Sequence, residues 1–333
     1  MKLTVRKEHW PYTTPFRITG YEFTGADVAV VTLEESGLAG QGEADGVYYR
    51  GETPDSMIRQ IEAVRPAVEN GIDRESLRAL TPPGGARNAI DCALWDLEAK
   101  CTGQPVWSLA GVARPLPLVT TFTVGAGAPE EMARAAAAYT GAKAIKVKLT
   151  PDDPARCILA VREAQPDAWI GVDANQGFTR ASLEDALPAL RDARVSLIEQ
   201  PFAIGRDADL DGLKSPIPIA ADESLQCLAD LRHMIGRYDA VNIKLDKCGG
   251  LTEGLMIARE ARRLGLKVMV GCMGGTSLAM APAFVLAQLC DFVDLDAPVF
   301  LAKDRADPAQ YRNGEIDCPE SLWGGTSSTE RTH

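Results

Sequence analysis

The sequence predicts a parallel α/β barrel with a smaller α+β domain ahead of it, and two observations carry that reading. From Pro117 onward, short apolar strand-like segments alternate with helical ones at a repeat of about 25 residues. Charged residues stand at the C-terminal ends of five consecutive segments, the positions that converge on one mouth when parallel strands close into a barrel.

Before Pro117 the elements are mixed. Asp27–Leu33 (DVAVVTL) suits a strand. A helix is predicted from Pro54, a favourable first-turn proline, with Ile58, Ile61 and Val64 on one face. Another is predicted over Ala86–Lys100, where Ile90, Leu94, Leu97 and Cys101 recur at spacings of four, three and four, and Gly103 supplies the stop. After Pro117, strands are predicted at Val119–Val124, Ala144–Leu149, Trp169–Asp173, Val195–Glu199, Ile217–Ala221, Val241–Leu245, Lys267–Gly271 and Phe292–Leu295. Each is expected to lead into a helix, with Glu130–Tyr139, Arg156–Gln165, Leu251–Leu264 and Ser277–Leu289 the clearest. A doubly wound open sheet is the competing fold. It usually carries a glycine fingerprint after its first strand, and Gly125-Ala-Gly127 followed by Ala-Pro-Glu is a poor one.

Bulk properties remove several function classes. The 333 residues carry a net charge of −11 with no Lys/Arg stripe, so no nucleic-acid partner is expected. Neither a signal peptide nor a membrane span is legible. The eight cysteines form no CxxC pair and read as free, buried thiols of a cytoplasmic protein. His9, His233 and His333 are too few and too dispersed for a zinc site.

The chemistry lies at the strand ends. Lys146 and Lys148 close the second predicted strand and, two apart, point to one face. Asp173 closes the third, Glu199 the fourth, Asp222 follows the fifth, and Lys244 closes the sixth. A single Asp after a strand commonly caps a helix, whereas five charged ends in order are poorly explained as caps. Asp173, Glu199 and Asp222 make an all-oxygen anionic cage suited to a hard divalent ion, Mg²⁺ before Ca²⁺. Lysines around a metal-bound carboxylate suit removal of the proton from the adjacent carbon, because ion and ammonium stabilise the enediolate where its charge develops. The base must be neutral near pH 7, and a cationic neighbourhood would lower a lysine toward that range.

These residues resemble the muconate-cycloisomerase branch of the enolase superfamily, over almost the whole chain. The ARNAIDCALWDLEAK helix at 86–100 and the runs VNIKLDKCGGLTE (241–253) and VGCMGGTS (270–277) share in the likeness. The resemblance implies a (β/α)7β TIM-like barrel over 115–299 and an α+β capping domain over 1–114, completed by 300–325. It implies Mg²⁺ on Asp173, Glu199 and Asp222, with Lys148 and Lys244 as opposed acid/base groups. Lys244 would serve the L centre and Lys148 the D centre, while Lys146 would bind the substrate carboxylate.

Asp294-Leu-Asp296 on the eighth predicted strand resembles the DxD feature of dipeptide epimerases of the L-Ala-D/L-Glu type, where the carboxylates hold the substrate's ammonium group. One of the pair acting as a mere loop cap before Pro298 is the structural alternative. One position departs from that group: alignment from Pro15-Phe16 through Val28–Leu33 puts Phe23 where the group has a substrate-binding arginine. Arg17 and Arg50 are the nearby candidates to replace it, and Glu22 and Asp45 would favour cationic side chains if turned inward. The expected partner is therefore a dipeptide, with homo-oligomerisation left open. Other members of the branch (cycloisomerase, o-succinylbenzoate synthase, N-acylamino acid racemase) need no acidic pair for an ammonium. A non-catalytic barrel binding small acids would not need opposed lysines, and a Schiff-base aldolase would have no use for the carboxylate cage.

Overall fold

The computed structural model describes residues 1–326; His333 lies outside them. The chain opens with three long antiparallel strands, β1 (Lys2–Ile18), β2 (Tyr21–Glu35) and β3 (Leu38–Ala44). Helices α1 (Pro54–Glu69), α2 (Arg74–Leu80) and α3 (Gly85–Thr102) follow. Thr53 caps α1 through a reciprocal bond pair with Ser56, and Pro54 takes the first turn as expected. Gly103 ends α3 in the left-handed conformation, with φ of 67°.

β3 packs against α3 almost backbone to backbone. A Cβ on Gly42 would stand 2.1 Å from the Ala89 carbonyl oxygen, and one on Gly40 would stand 2.3 Å from that of Ala93. That closeness is why α3 is buried on nearly every side rather than along one stripe. Of the four residues read as its apolar face, Ile90, Leu94 and Leu97 are buried and Cys101 is exposed at the last turn. The expectation of uniformly buried thiols therefore fails at Cys101; four others (Cys227, Cys272, Cys290 and Cys318) are half-buried.

After the short helix α4 (Val106–Leu109) and strand β4 (Leu118–Val119), the barrel is built from β5 (Thr121–Val124), β6 (Ala144–Lys148), β7 (Trp169–Asp173), β8 (Leu197–Glu199), β9 (Ile219–Ala221), β10 (Ala240–Ile243), β11 (Lys267–Val270) and β12 (Phe292–Val293). These eight pair in sequence order, each parallel to the next, as a nearly closed sheet. The helices on its outside are α5 (Pro129–Ala138), α6 (Pro154–Ala164), α7 (Arg180–Asp192), α8 (Leu231–Met234), α9 (Leu245–Cys248), α10 (Leu251–Arg263) and α11 (Ser277–Ala287). The expectation of a helix after every strand fails after β12, which only the 3-10 turn Ala297–Phe300 follows, and after β8, where residues 200–218 hold only a 3-10 turn at Asp207–Leu210. Three prolines and two glycines in that stretch break any helical run. Strands β13 (Gln310–Arg312) and β14 (Glu315–Asp317) join β4 in a small antiparallel sheet.

The first sheet sits over the C-terminal strand ends. The β1–β2 register slips between Pro11 and Phe16, and the displaced tip lies on the loops that leave the barrel. There the Ala126 N–H donates to the Arg17 carbonyl at 3.0 Å, and Thr19 Oγ1 donates to the Ala174 carbonyl at 3.3 Å. A buried ionic staple holds this cap down. Glu43, fully enclosed, accepts from Thr276 N and Oγ1, both at 2.6 Å, and from Arg305 Nη2 at 2.5 Å. Arg305 also reaches Glu8 at 2.7 Å and lies 4.7 Å over the Trp10 ring. Among the described residues no helix is long and apolar enough to cross a membrane.

Candidate active site

Strand register assembles the centre. Lys148 pairs with Asp173 across β6–β7, and Asp173 with Glu199 across β7–β8, so successive strand ends bring their side chains level. Asp222 follows β9 directly. One carboxylate oxygen from each of Asp173, Glu199 and Asp222 lies within 4.8 Å of the others, and all three residues are buried. Each is held by neighbours: Asp173 Oδ1 accepts the Asn175 N–H at 2.9 Å. Asn242 Nδ2 donates to Glu199 Oε1 at 2.8 Å, and Gln200 Oε1 receives the Asp222 and Ser224 N–H groups at 2.9 and 3.0 Å.

The lysines surround this triad. Lys146 Nζ stands 2.7 Å from Asp294, 2.9 Å from Glu199 and 3.1 Å from Asp173. Lys148 Nζ is 2.6 Å from Asp173, and Lys244 Nζ is 2.6 Å from Asp222. Sequence reasoning missed Lys247. It stands one turn beyond Lys244 on α9, is fully buried, and donates to Asp222 Oδ1 and to the Asp222 and Asn242 carbonyls at 2.5 to 3.0 Å. Its only signal was the three-residue spacing after a strand-end lysine.

Charge is unevenly spread. Burial alone would raise Asp222, but Lys244 and Lys247 outweigh it and hold the carboxyl well below its ordinary range. Glu199, buried and beside Asp173, is pushed up to about 8. Lys244 is raised rather than lowered, because Asp222 and Glu199 outweigh its burial. The expectation of a lysine depressed by cationic neighbours is not met at Lys244, whose closest partner is an anion. The donor set suits a hard divalent ion: the triad is all-oxygen, and Asn175 Oδ1 and Glu223 Oε2 are buried without a hydrogen-bond partner.

A cavity of about 90 Å³ opens onto these groups. Its barrel side carries Lys146, Lys148, Lys244, Asp294 and Asp296, and its cap side Phe16, Phe23, Tyr48 and Asp45. Asp294 Oδ1 accepts from Thr121 Oγ1 at 2.5 Å and its Oδ2 takes Lys146, while Asp296 accepts the Thr123 N–H at 2.6 Å. Asp296 stands just before the 3-10 turn Ala297–Phe300 but makes no side-chain cap bond there, so loop capping does not account for it. Burial, then the neighbouring Asp294, raises Asp296 to about 7.

Both arginine candidates stay outside. Arg17 pairs with Glu22 on the exposed side of the hairpin, and Arg50 donates to Gln226 at 3.3 Å. Phe23 does line the cavity, with the Tyr48 ring centroid 5.2 Å away.

Known proteins share this fold. The mandelate racemase / muconate lactonizing enzyme N-terminal domain family matches residues 1–111, and the enolase C-terminal domain-like family matches 129–324. The chain belongs to the mandelate racemase / muconate lactonizing enzyme family. The L-Ala-D/L-Glu epimerase of Escherichia coli K12 is 42% identical over 94% of this chain and 98% of its own length. The N-acetyl-D-glutamate racemase of a Pseudoalteromonas species is 37% identical over 91% and 96%. An enolase family member from Agrobacterium tumefaciens with homology to dipeptide epimerases, solved with sodium and L-Ala-L-Glu, is 40% identical. It covers 97% of this chain and 99% of its own, with a TM-score of 0.94. A Methylococcus capsulatus dipeptide epimerase solved with Mg and L-Arg-D-Lys is 32% identical, with a TM-score of 0.86 over 96% of this chain and 98% of its own. Within the mandelate racemase / muconate lactonizing enzyme family, this chain is an isomerase of the dipeptide epimerase type, in the L-Ala-D/L-Glu epimerase group. Its buried acidic triad fits the Mg²⁺ present in structures of homologues such as the Methylococcus capsulatus enzyme.

Proposed function

We propose that this epimerase inverts the carboxyl-terminal residue of a dipeptide by moving its α-proton between Lys148 and Lys244. The observation that supports this reading is that the two lysines stand on separate strands against different carboxylates. They come from β6 and the end of β10, and each ammonium rests on a different member of the triad, Asp173 or Asp222. Mg²⁺ held by Asp173, Glu199 and Asp222 would supply positive charge against the two oxygens on which the enediolate charge develops. Asp173 and Asp222, which would hold the ion, are also the partners of Lys148 and Lys244, so the ion would compete with both amines for those carboxylates. One lysine, neutral, takes the α-proton as the C–H bond breaks, and the bonding pair moves into the enediolate. The other, as ammonium, returns a proton to the opposite face. Lys146 stabilises the carboxylate end. With Mg²⁺ in D₂O, uptake of one deuteron at the carboxyl-terminal α-carbon tests the reading; a panel of L,L-dipeptides that never exchanges would sink it.

The acidic pair distinguishes free dipeptides from N-acylated substrates. Asp296→Asn is the cleaner variant, because Asp294 also anchors Lys146. It is expected to lower kcat/KM for free dipeptides by roughly 10- to 100-fold through loss of a charge-assisted contact. N-acetylated dipeptides lack the cation and should suffer far less. Equal damage to both would assign Asp296 a structural role.

Phe23 sets the preference at the second side chain. A substrate carboxylate against Phe23 and Tyr48 loses water and gains no partner, since Arg17 and Arg50 are engaged elsewhere. L-Ala-L-Phe and L-Ala-L-Leu are expected to exceed L-Ala-L-Glu in kcat/KM by about tenfold or more, and Phe23→Arg should narrow that gap. A clear wild-type preference for L-Ala-L-Glu would overturn the assignment.

A further inference from the structure

The cavity has two ends, and only one is explained by Phe23. Asp294 and Asp296 mark the other, where the reading above puts the substrate's ammonium group; this inference rests on that reading. Asp45 lines the cavity on the cap side of that end. Its Oδ2 accepts the Gly274 N–H at 3.0 Å. Gly274 permits the approach, since a Cβ there would stand 2.7 Å from Asp45 Oδ2 and 3.1 Å from the Tyr12 hydroxyl. Tyr12 bridges to the ammonium end, lying close enough to both Asp45 and Asp296 for each to raise its phenol.

Asp45 sits among other carboxyl groups, with no cation beside it among the described residues. Burial first, then the neighbouring carboxylate of Asp246, pushes the Asp45 carboxyl well above its ordinary range, and the Gly274 N–H works against that shift. Glu43 is paired with Arg305 and accepts from Thr276, and Asp246 accepts the Asp45 and Gly46 N–H groups at 3.1 Å. Of the three carboxylates that line the cavity, Asp294 faces Lys146, whereas Asp296 and the half-buried Asp45 have no ion pair among the described residues. Ionising a half-buried carboxyl among other carboxylates is costly unless a positive group arrives with the ligand. The side chain of the substrate's first residue branches from the carbon that bears the ammonium, which directs it to this wall.

We propose that Asp45 makes the first-residue subsite cation-accepting, so that the enzyme takes dipeptides beginning with a basic residue. The Asp45 carboxylate accepts a charge-assisted hydrogen bond from the side-chain ammonium or guanidinium, and the ring of Tyr12 flanks the aliphatic stem. Glu22, turned outward onto Arg17, takes no part.

The test compares L-Lys-L-Phe with L-norleucyl-L-Phe, which has nearly the same stem but no charge, by kcat/KM in the Mg²⁺-loaded enzyme. The wild type is expected to favour the lysyl substrate by about tenfold or more, and Asp45→Asn to reduce that ratio to within about threefold. Asn preserves the side chain's size and an acceptor for Gly274 while removing the charge. The wild-type ratio is decisive even if the variant fails to fold: equal use of the two substrates overturns the inference. So does an Asp45→Asn enzyme that loses both activities by one factor, which would make Asp45 a loop tie or a ligand of the backbone ammonium. If neither substrate nor L-Ala-L-Phe exchanges its α-proton, the dipeptide reading itself fails and takes this inference with it.

Discussion

Lys148→Ala is expected to abolish net epimerisation, by on the order of a thousandfold or more, while leaving one isomer able to exchange its α-proton. The asymmetry follows from two bases on opposite faces. With Lys148 gone, Lys244 still removes the proton of the L centre and returns it, or a solvent deuteron, to the same face. The L substrate therefore gains deuterium without inverting and the D isomer stays inert. Lys244→Ala should show the mirror pattern. Proton NMR in D₂O follows loss of the α-signal and appearance of the diastereomer together. If both variants exchanged both isomers, neither lysine would be the sole base for its face. If Lys146→Ala alone produced the one-sided pattern, the base would have to be reassigned to Lys146, which touches three carboxylates.

Removing the ion should be as damaging, and more revealing at Asp222 than at its partners. Chelation is expected to abolish turnover, with Mg²⁺ restoring it, and full activity without metal would sink the mechanism. Asp173→Asn, Glu199→Gln and Asp222→Asn should each weaken Mg²⁺ binding by calorimetry and remove most activity. Asp222→Asn carries a second cost, because that carboxylate also neutralises Lys244 and the fully buried Lys247. Breaking a buried ion pair from one side costs about 3–5 kcal/mol. Asp222→Asn should therefore unfold at distinctly lower denaturant than Glu199→Gln, whose carboxylate is already poised to accept a proton. Equal stability of the two variants would mean that Lys247 is satisfied by its backbone carbonyl partners alone.

The sequence exposed the triad and its lysines because the barrel converts chain order into spatial order. Each parallel strand lies beside the next, so charged residues at successive ends have nowhere to go but the common mouth, and the Lys146–Lys148 parity puts both on its inner side. What stayed hidden depends on pairings that strand order does not encode. Lys247 lies on a single helical turn, so its direction follows from the Gly249–Gly250 turn that ends α9 and not from strand parity. Thr121 and Thr123 secure the acidic pair from β5, at the opposite end of the strand order from β12. The fate of Arg17 turned on Glu22, its cross-strand partner in a hairpin whose register slips. The missing helix after β8 is a case where turn residues overrode a periodic expectation.

The Arg305–Glu43 staple has a consequence in time. Its two ends are 262 positions apart in the chain. At ribosomal rates of about 5–20 residues per second, Glu43 waits roughly 13–52 s for its guanidinium partner to be synthesised. Throughout that interval the β1–β3 sheet has a carboxylate at its buried edge and no counter-charge. The sheet can form early, but its seating on the mouth must come late, after the barrel strands are already made. Birth order thus keeps the mouth uncovered until the groups beneath it exist, and a nascent chain stopped short of residue 305 would carry a complete set of barrel carboxylates under a loose cover.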